Sequence, residues 1–253
     1  MPEPAAHELL PLPGRGRTYS AQRRARFGDL SPEGRLRLDA LARFQQDVAS
    51  DDSTDAGLDN DVAWVVRRTK VVIGRSPRFR ELLTLTTFCS GQGGRWAERR
   101  VSMQGEQGAA IEVVSLWVHL DATSGRPVPL PDDFHRHYDE AAGGRTVSSR
   151  LAHDPQPPAD ATVRSWPLRA TDFDLLGHVN NAATWSVVEE ALAVEGLHQD
   201  RRPLEAELEY RLAIEPGDAV AVVSARAEDG ALAVWITDPT PGAARLYATA
   251  LVT

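Results

Sequence analysis

Cysteine and lysine are nearly missing from this 253-residue chain, which has one of each, Cys89 and Lys70. A single cysteine rules out an intrachain disulfide and any cysteine-based metal cluster. Cys89 sits in the strand-like run TLTTFCS with nothing nearby in sequence to activate its thiol, so it reads as a buried packing residue and not a nucleophile. No apolar run approaches the length of a membrane span, and the opening residues, with Pro2, Pro4, Pro11 and Pro13, have no signal-peptide core. The expectation is a soluble cytoplasmic protein with no membrane insertion.

Positive charge is scarce over most of the chain. The formal net charge is −8, yet residues 1–100 carry 17 Lys+Arg against 13 Asp+Glu, leaving 11 against 23 from residue 101 onward. Overall acidity argues against a nucleic-acid partner. So does the scatter of Trp64, Trp96, Trp117, Trp166, Trp185 and Trp235, which fits core positions or the lining of a channel better than a base-stacking platform. The basic half is arginine-based, and arginine forks suit phosphate and carboxylate groups; solvated surface positions account for the same pattern.

With 42% hydrophobic residues, the chain is long enough to bury one large core or two smaller ones. Residues 1–17 read as an irregular segment, and a strand is expected over 18–27. Ser31-Pro32-Glu33-Gly34 reads as a turn into a helix with Leu36, Leu38, Leu41, Ala42, Phe44, Gln45 and Val48, apolar on more than one side. A polar loop is expected over 49–61. Four strand-like runs follow over 64–73, 82–90, 96–103 and 110–120, and a helix beside a meander indicates an α+β class. Residues 122–160 read as a connection with one short helix over 132–142. Its Asp132-Asp133-Phe134-His135-Arg136-His137 run is taken as solvated, because His at i and i+2 do not share a helix face.

The pattern then begins again, with strands expected over 162–168, 206–214, 219–227, 231–237 and 245–252. Placing the halves at a separation of 143 sets Arg26 against Arg169, Asp29 against Asp172 and Gly34 against Gly177, with the helix starts at Leu36 and Val179 coinciding. Ser31 then faces Asp174, Arg35 faces His178, and Arg37 with Leu38 faces Asn180 with Asn181. Both copies share a scaffold, but only the second has the groups of a hydrolytic site. Asp172, matched by Asp29, reads as structural. Glu190, matched by Asp47, does too.

The second copy holds RATDFDLLGHVNNAATWSVVEEAL, residues 169–192, in which polar groups crowd the mouth of a helix. A helix N-terminus offers unpaired N–H groups and the positive end of a dipole. Amides near Gly177, His178 and Val179 are candidates to hold a carbonyl oxygen, with Gly177, Val179 and Asn181 as substrate-binding positions. Asp174 is the candidate base or attacking carboxylate, a choice the sequence leaves open. His178 is the candidate to orient water, donate to the carbonyl or protonate the leaving group. Asn180 is the candidate to fix that geometry, and a first-turn cap explains each asparagine equally well.

The run D-x-D-x-x-G-H-V-N-N before an apolar helix resembles the active-site helix of hot-dog-fold thioesterases. Residues 169–190 are most similar to the second domain of the acyl-ACP thioesterases, and LEYR, residues 208–211, resembles that family's strand facing the active-site helix. The resemblance implies an α+β fold of two tandem hot-dog domains, each a curved antiparallel sheet wrapped around a central helix. Residues 18–121 would form the non-catalytic copy and 161–253 the catalytic one. It further implies hydrolysis of acyl thioesters carried on acyl carrier protein or on CoA, with no metal and no other cofactor, in a monomer by internal pseudo-dimer or in a homodimer. The chain departs from the plant-type pattern at Leu176, where a catalytic Asn is expected, and at Ala213 and Ile214, where Glu and Cys are expected. Those departures keep a non-catalytic acyl-binding protein as the alternative.

Overall fold

A computed structural model describes residues 10–58, 63–197, 203–240, 242 and 245–253; the first nine residues of the irregular N-terminal segment and the end of the expected 49–61 loop lie outside the described residues. The first half runs β1 (Tyr19–Arg24), α1 (Leu38–Asp55), β2 (Ala63–Arg75), β3 (Leu82–Gln92), β4 (Trp96–Gly105) and β5 (Ala110–Leu120). Helix α2 (Asp132–Ala142) follows, and the second half runs β6 (Thr162–Ser165), α3 (Asn181–Val194), β7 (Leu204–Tyr210), β8 (Ala221–Arg226), β9 (Leu232–Thr237) and β10 (Leu246–Val252). The ten strands of the described residues form one antiparallel sheet in the order β1-β3-β4-β5-β2-β7-β10-β9-β8-β6. The expected α+β layout is therefore present, with the halves joined edge to edge.

The seam is the β2–β7 pair, in register from Arg68 opposite Glu209 to Ile73 opposite Leu204. Successive strand side chains point to opposite faces. Thr69, Val71, Ile73, Ala206 and Leu208 accordingly enter the core, while Arg68, Lys70, Glu205, Glu207 and Glu209 share the other face. Lys70 uses that face to pair with Glu205 at 2.5 Å, so the lone lysine ties the halves together.

Helices α1 and α3 pack on one another against the buried face of the sheet. Nearly every turn of α3 is buried, through Ala182, Thr184, Trp185, Val187, Val188, Ala191 and Leu192, which explains a helix apolar on several sides. Helix α1 buries Leu38, Leu41, Phe44 and Val48, but it also buries Asp52. The expected loop over 49–61 is thus corrected: residues 49–55 are helical. Asp52 is held by Arg17 Nε at 2.8 Å, Tyr138 Oη at 2.8 Å and the Arg99 guanidinium, and these distant partners override the local polar composition.

The expected connection is also more structured than its composition suggests. Phe134, Tyr138, Ala141 and Ala142 of α2 are buried, against β3, so this helix is a lid on the first half and not a solvated spacer. Gly16 is pressed so close to α2 that a Cβ there would meet the Ala141 nitrogen at 2.2 Å. Beyond α2 the chain lies across the sheet, accepting hydrogen bonds from the indoles of Trp96 at Val147 O (2.9 Å) and Trp235 at Asp154 O (2.8 Å).

Trp185 is fully buried in the core where the helices and the sheet meet. Truncating a buried Trp costs about 3–5 kcal/mol. Trp185→Ala is expected to lower the unfolding free energy in urea by that amount; a loss below about 1 kcal/mol would show that the core does not depend on it.

Candidate active site at the start of helix α3

The motif begins with a 3₁₀ turn over 170–172 that Asp172 ties down: its Oδ2 accepts from Arg169 N at 2.8 Å and its Oδ1 pairs with Arg169 Nη2 at 2.9 Å. Buried and fully engaged, Asp172 is structural, as is Asp29, which binds Arg26 N at 2.9 Å in the first copy. The chain next closes a tight loop, Asp174 N donating to His178 O (3.0 Å) and Gly177 N to Asp174 O (3.0 Å). Gly177 has φ +78°, in the left-handed region where a Cβ is disfavoured.

This loop presents the Asp174 carboxylate. Oδ1 accepts from Leu176 N at 2.9 Å and Oδ2 from Asn180 Nδ2 at 3.2 Å. Asn180 is at the same time the N-cap of α3, its Oδ1 accepting from Ala182 N at 2.8 Å. One side chain therefore fixes both the helix start and the carboxylate, so the cap and the geometric role are not alternatives. Tyr210 of the LEYR strand supports the same turn by donating to Asn181 O at 3.2 Å; burial pushes its phenol pKa up, which keeps it a donor.

The other singled-out positions divide. Asn181 lines a cavity together with Asp174. Its N–H has no hydrogen-bond partner among the described residues. The Gly177 N–H is spent on Asp174 O, and the Val179 N–H donates to Ile214 O at 2.9 Å, so neither faces a ligand. His178 is exposed; its side chain makes no hydrogen bond to the Asp174 carboxylate among the described residues, and it does not line the cavity. Asp174 and Asn180 are brought together, and His178 stands outside them.

The cavity measures about 350 Å³, and most of its wall comes from the first half and from α2. Trp64, Trp117, Phe134 and Tyr138 supply an aromatic lining, and the Trp64–Phe134 and Phe134–Tyr138 ring pairs lie 5.6 and 4.8 Å apart. Glu98 and Arg99 also line it, so the wall is not wholly apolar; Glu98 is held by Ser90 Oγ at 2.8 Å and Arg99 by Asp52. Cys89 is buried in this wall, and burial pushes its thiol up to about 11, as expected of a residue that is not a nucleophile. Sequence reasoning placed the whole site in the second half and missed that the first half builds the cavity. The available signal was the run of small and polar residues at Ala49, Ser50, Ser53 and Thr54, which leaves space beside α1.

Among the described residues, His153, Glu207 and Glu209 bring metal-ligating atoms within 4.8 Å of one another. Glu209 already binds the N–H groups of Ala152 and His153 and the Arg211 guanidinium, which makes this cluster an anchor for the connecting segment. The arginines noted from sequence are similarly engaged: Arg17, Arg35, Arg43 and Arg99 all pair with internal carboxylates. No helix among the described residues is long and apolar enough to cross a membrane.

Comparison with known proteins bears on this arrangement. Residues 16–138 match the family model of the acyl-ACP thioesterase N-terminal domain, and residues 156–238 that of the C-terminal domain. Uncharacterized proteins from two strains of Mycobacterium tuberculosis are 31% identical over 218 residues, covering 85% of each chain. The 12:0-ACP thioesterase from Umbellularia californica superimposes with a TM-score of 0.76 at 18% identity, over 94% of this chain and 97% of that one. An acyl-ACP thioesterase from Bacteroides thetaiotaomicron gives 0.73 at 18% identity, over 93% and 96%. The architecture is accordingly the tandem hot-dog fold.

Removing an N-cap acceptor typically costs about 1 kcal/mol. Asn180→Ala is expected to lose about that much stability in chemical denaturation, and Asn180→Ser, which retains a capping oxygen, less than half as much. Equal losses would show that the Ala182 bond contributes nothing.

Proposed function

This chain belongs to the acyl-ACP thioesterase family, whose chemistry is thioester hydrolysis, and from that premise we propose that it releases free fatty acids from fatty acyl-ACP. The observation that carries the reading is the position of Asp174. Asp174, its carboxylate held by Leu176 N and Asn180 Nδ2, lines a cavity with aromatic walls, and Asn181 lines the same cavity.

The proposed reaction follows from that placement. The acyl chain occupies the cavity between α1, the first-half strands and α2, and the thioester carbonyl rests at the α3 N-terminus. The partial positive charge there favours a developing oxyanion. Asp174 either removes a proton from the attacking water, so that the carbon–sulfur bond breaks to give the carboxylic acid and the pantetheine thiol, or attacks the carbonyl carbon itself, expelling the thiol and leaving a mixed anhydride that water then hydrolyses to the acid and the free Asp174 carboxylate. Asn180 orients the carboxylate. Exposed His178 is on the solvent side, where the thiolate departs, and is assigned to protonate it. Leu176, at the position where an asparagine is expected, lines the cavity and so contributes an apolar contact at its mouth. Ala213 is exposed and offers no polar group to the site, which leaves Asp174 and Asn180 as the acid–amide pair.

The test is a hydrolysis screen with acyl-ACP and acyl-CoA of several chain lengths, run on the protein and on Asp174→Asn. Loss of an acid/base group lowers rates by roughly 10²–10⁴-fold. A drop of that size, with faster turnover of the ACP substrates, is expected. An unchanged rate removes Asp174 from the mechanism, faster turnover of CoA esters reassigns the carrier, and no turnover by the unmutated protein at any chain length makes it an acyl-binding protein.

A further inference from the structure

The two helix-start loops share three backbone hydrogen bonds. Ser31 N donates to Arg35 O (2.7 Å) as Asp174 N does to His178 O, Gly34 N to Ser31 O (2.8 Å) as Gly177 N does to Asp174 O, and Arg37 N to Asp29 O (2.9 Å) as Asn180 N does to Asp172 O (2.8 Å). Each loop then delivers a helix, α1 at Leu38 and α3 at Asn181, a separation of 143 residues.

What stands in front of each helix differs. At α1 the space is filled from across the seam: Glu189 of α3 places Oε2 3.0 Å from Leu38 N and pairs Oε1 with the buried Arg35 guanidinium. An anionic oxygen thus rests on the first N–H of the helix, where the dipole favours negative charge. Subtracting 143 from Glu189 gives Gln46 of α1, the residue related to Glu189 by the repeat. Gln46 lines the cavity with Asp174, Leu176 and Asn181. Among the described residues neither its side-chain amide nor the Asn181 N–H has a hydrogen-bond partner.

The internal carboxylate at α1 marks where an oxyanion rests at such a helix start, and we propose that Gln46 is a catalytic residue supplied to the second half's site by the first. Its Nε2–H donates to the thioester carbonyl oxygen alongside the Asn181 N–H, and the bond strengthens as the carbonyl becomes the oxyanion. No proton moves to or from Gln46. The identity of the residue decides which copy works. A neutral amide leaves the oxyanion position open and adds a donor, whereas a carboxylate, as at Glu189, occupies it with the wrong charge. The inference rests on the reading above that Asp174 is the working carboxylate.

Removing one oxyanion-hole donor lowers kcat by about 10²–10³-fold. Gln46→Met, similar in length but without a donor, should lower kcat to that extent with KM and the melting temperature nearly unchanged. Gln46→Glu should lose at least as much at pH 8, and its rate relative to the parent should recover as pH falls and the introduced carboxyl is protonated. A Gln46→Met rate within twofold of the parent overturns the assignment, whereas full activity of Asp174→Asn overturns the reading it rests on. Amide hydrogen exchange at Asn181 supplies a check that needs no turnover: the carboxylate of Gln46→Glu should slow it at least tenfold by repeating the Glu189 contact. Unchanged exchange there also overturns the placement of Gln46.

Discussion

The antiparallel pairing of β2 with β7 is the constraint on which the rest of the molecule depends. It joins two half-sheets along an edge, buries Thr69, Val71, Ala206 and Leu208 on one side and gathers Lys70 with Glu205 and Glu207 on the other. Fixed in that register, the halves hold α1 and α3 against each other, so each helix lies within side-chain reach of the loop that starts its neighbour. The Glu189 contact with Leu38 N and the position of Gln46 beside Asp174 and Asn181 both follow from it. The cavity is thereby composite: the first half and α2 supply most of its wall, and Asp174, Leu176 and Asn181 complete it.

In the proposed reaction only the second copy carries the chemistry. At the first helix start the space is closed by Arg35 and Glu189, an ion pair buried enough that breaking it from one side would strand a charge. That closure joins the two helices and fills the space before the first in the same contact. At the second start the matching positions are an exposed imidazole and an unpaired amide, and the space stays open. The difference between the halves is therefore one of charge and occupancy at a shared backbone.

Much of this was legible in the chain itself. The helix-start loops were visible because glycine at 34 and 177 and aspartate at 29 and 172 are demanded by local geometry, a left-handed turn and a tied-down 3₁₀ turn, and such demands leave residue-specific traces. Strand positions were readable for the same kind of reason, from the two-residue alternation of buried and exposed side chains. The end of α1 was not, because Asp52 is stabilised by Arg17, Arg99 and Tyr138, which lie 35, 47 and 86 residues away. Nor was the role of α2, whose four buried side chains are interrupted by charged residues on the solvent side. Gln46 and Glu189 are generic in a helical sequence and gain meaning only when the two helices are seen to lie across each other. The exposure of His178 was not legible either, since it follows from the tight turn at Gly177, with φ +78°, and not from its place in the motif.

In the proposed mode of binding, an acyl chain whose thioester meets Asp174 lies in the first half's cavity. Photolabelling with an acyl thioester carrying a diazirine along its chain, followed by peptide mapping by mass spectrometry, tests this directly. The account predicts adducts on the peptides containing Trp64, Cys89, Phe134 and Tyr138. Adducts confined to residues 204–253 would contradict it.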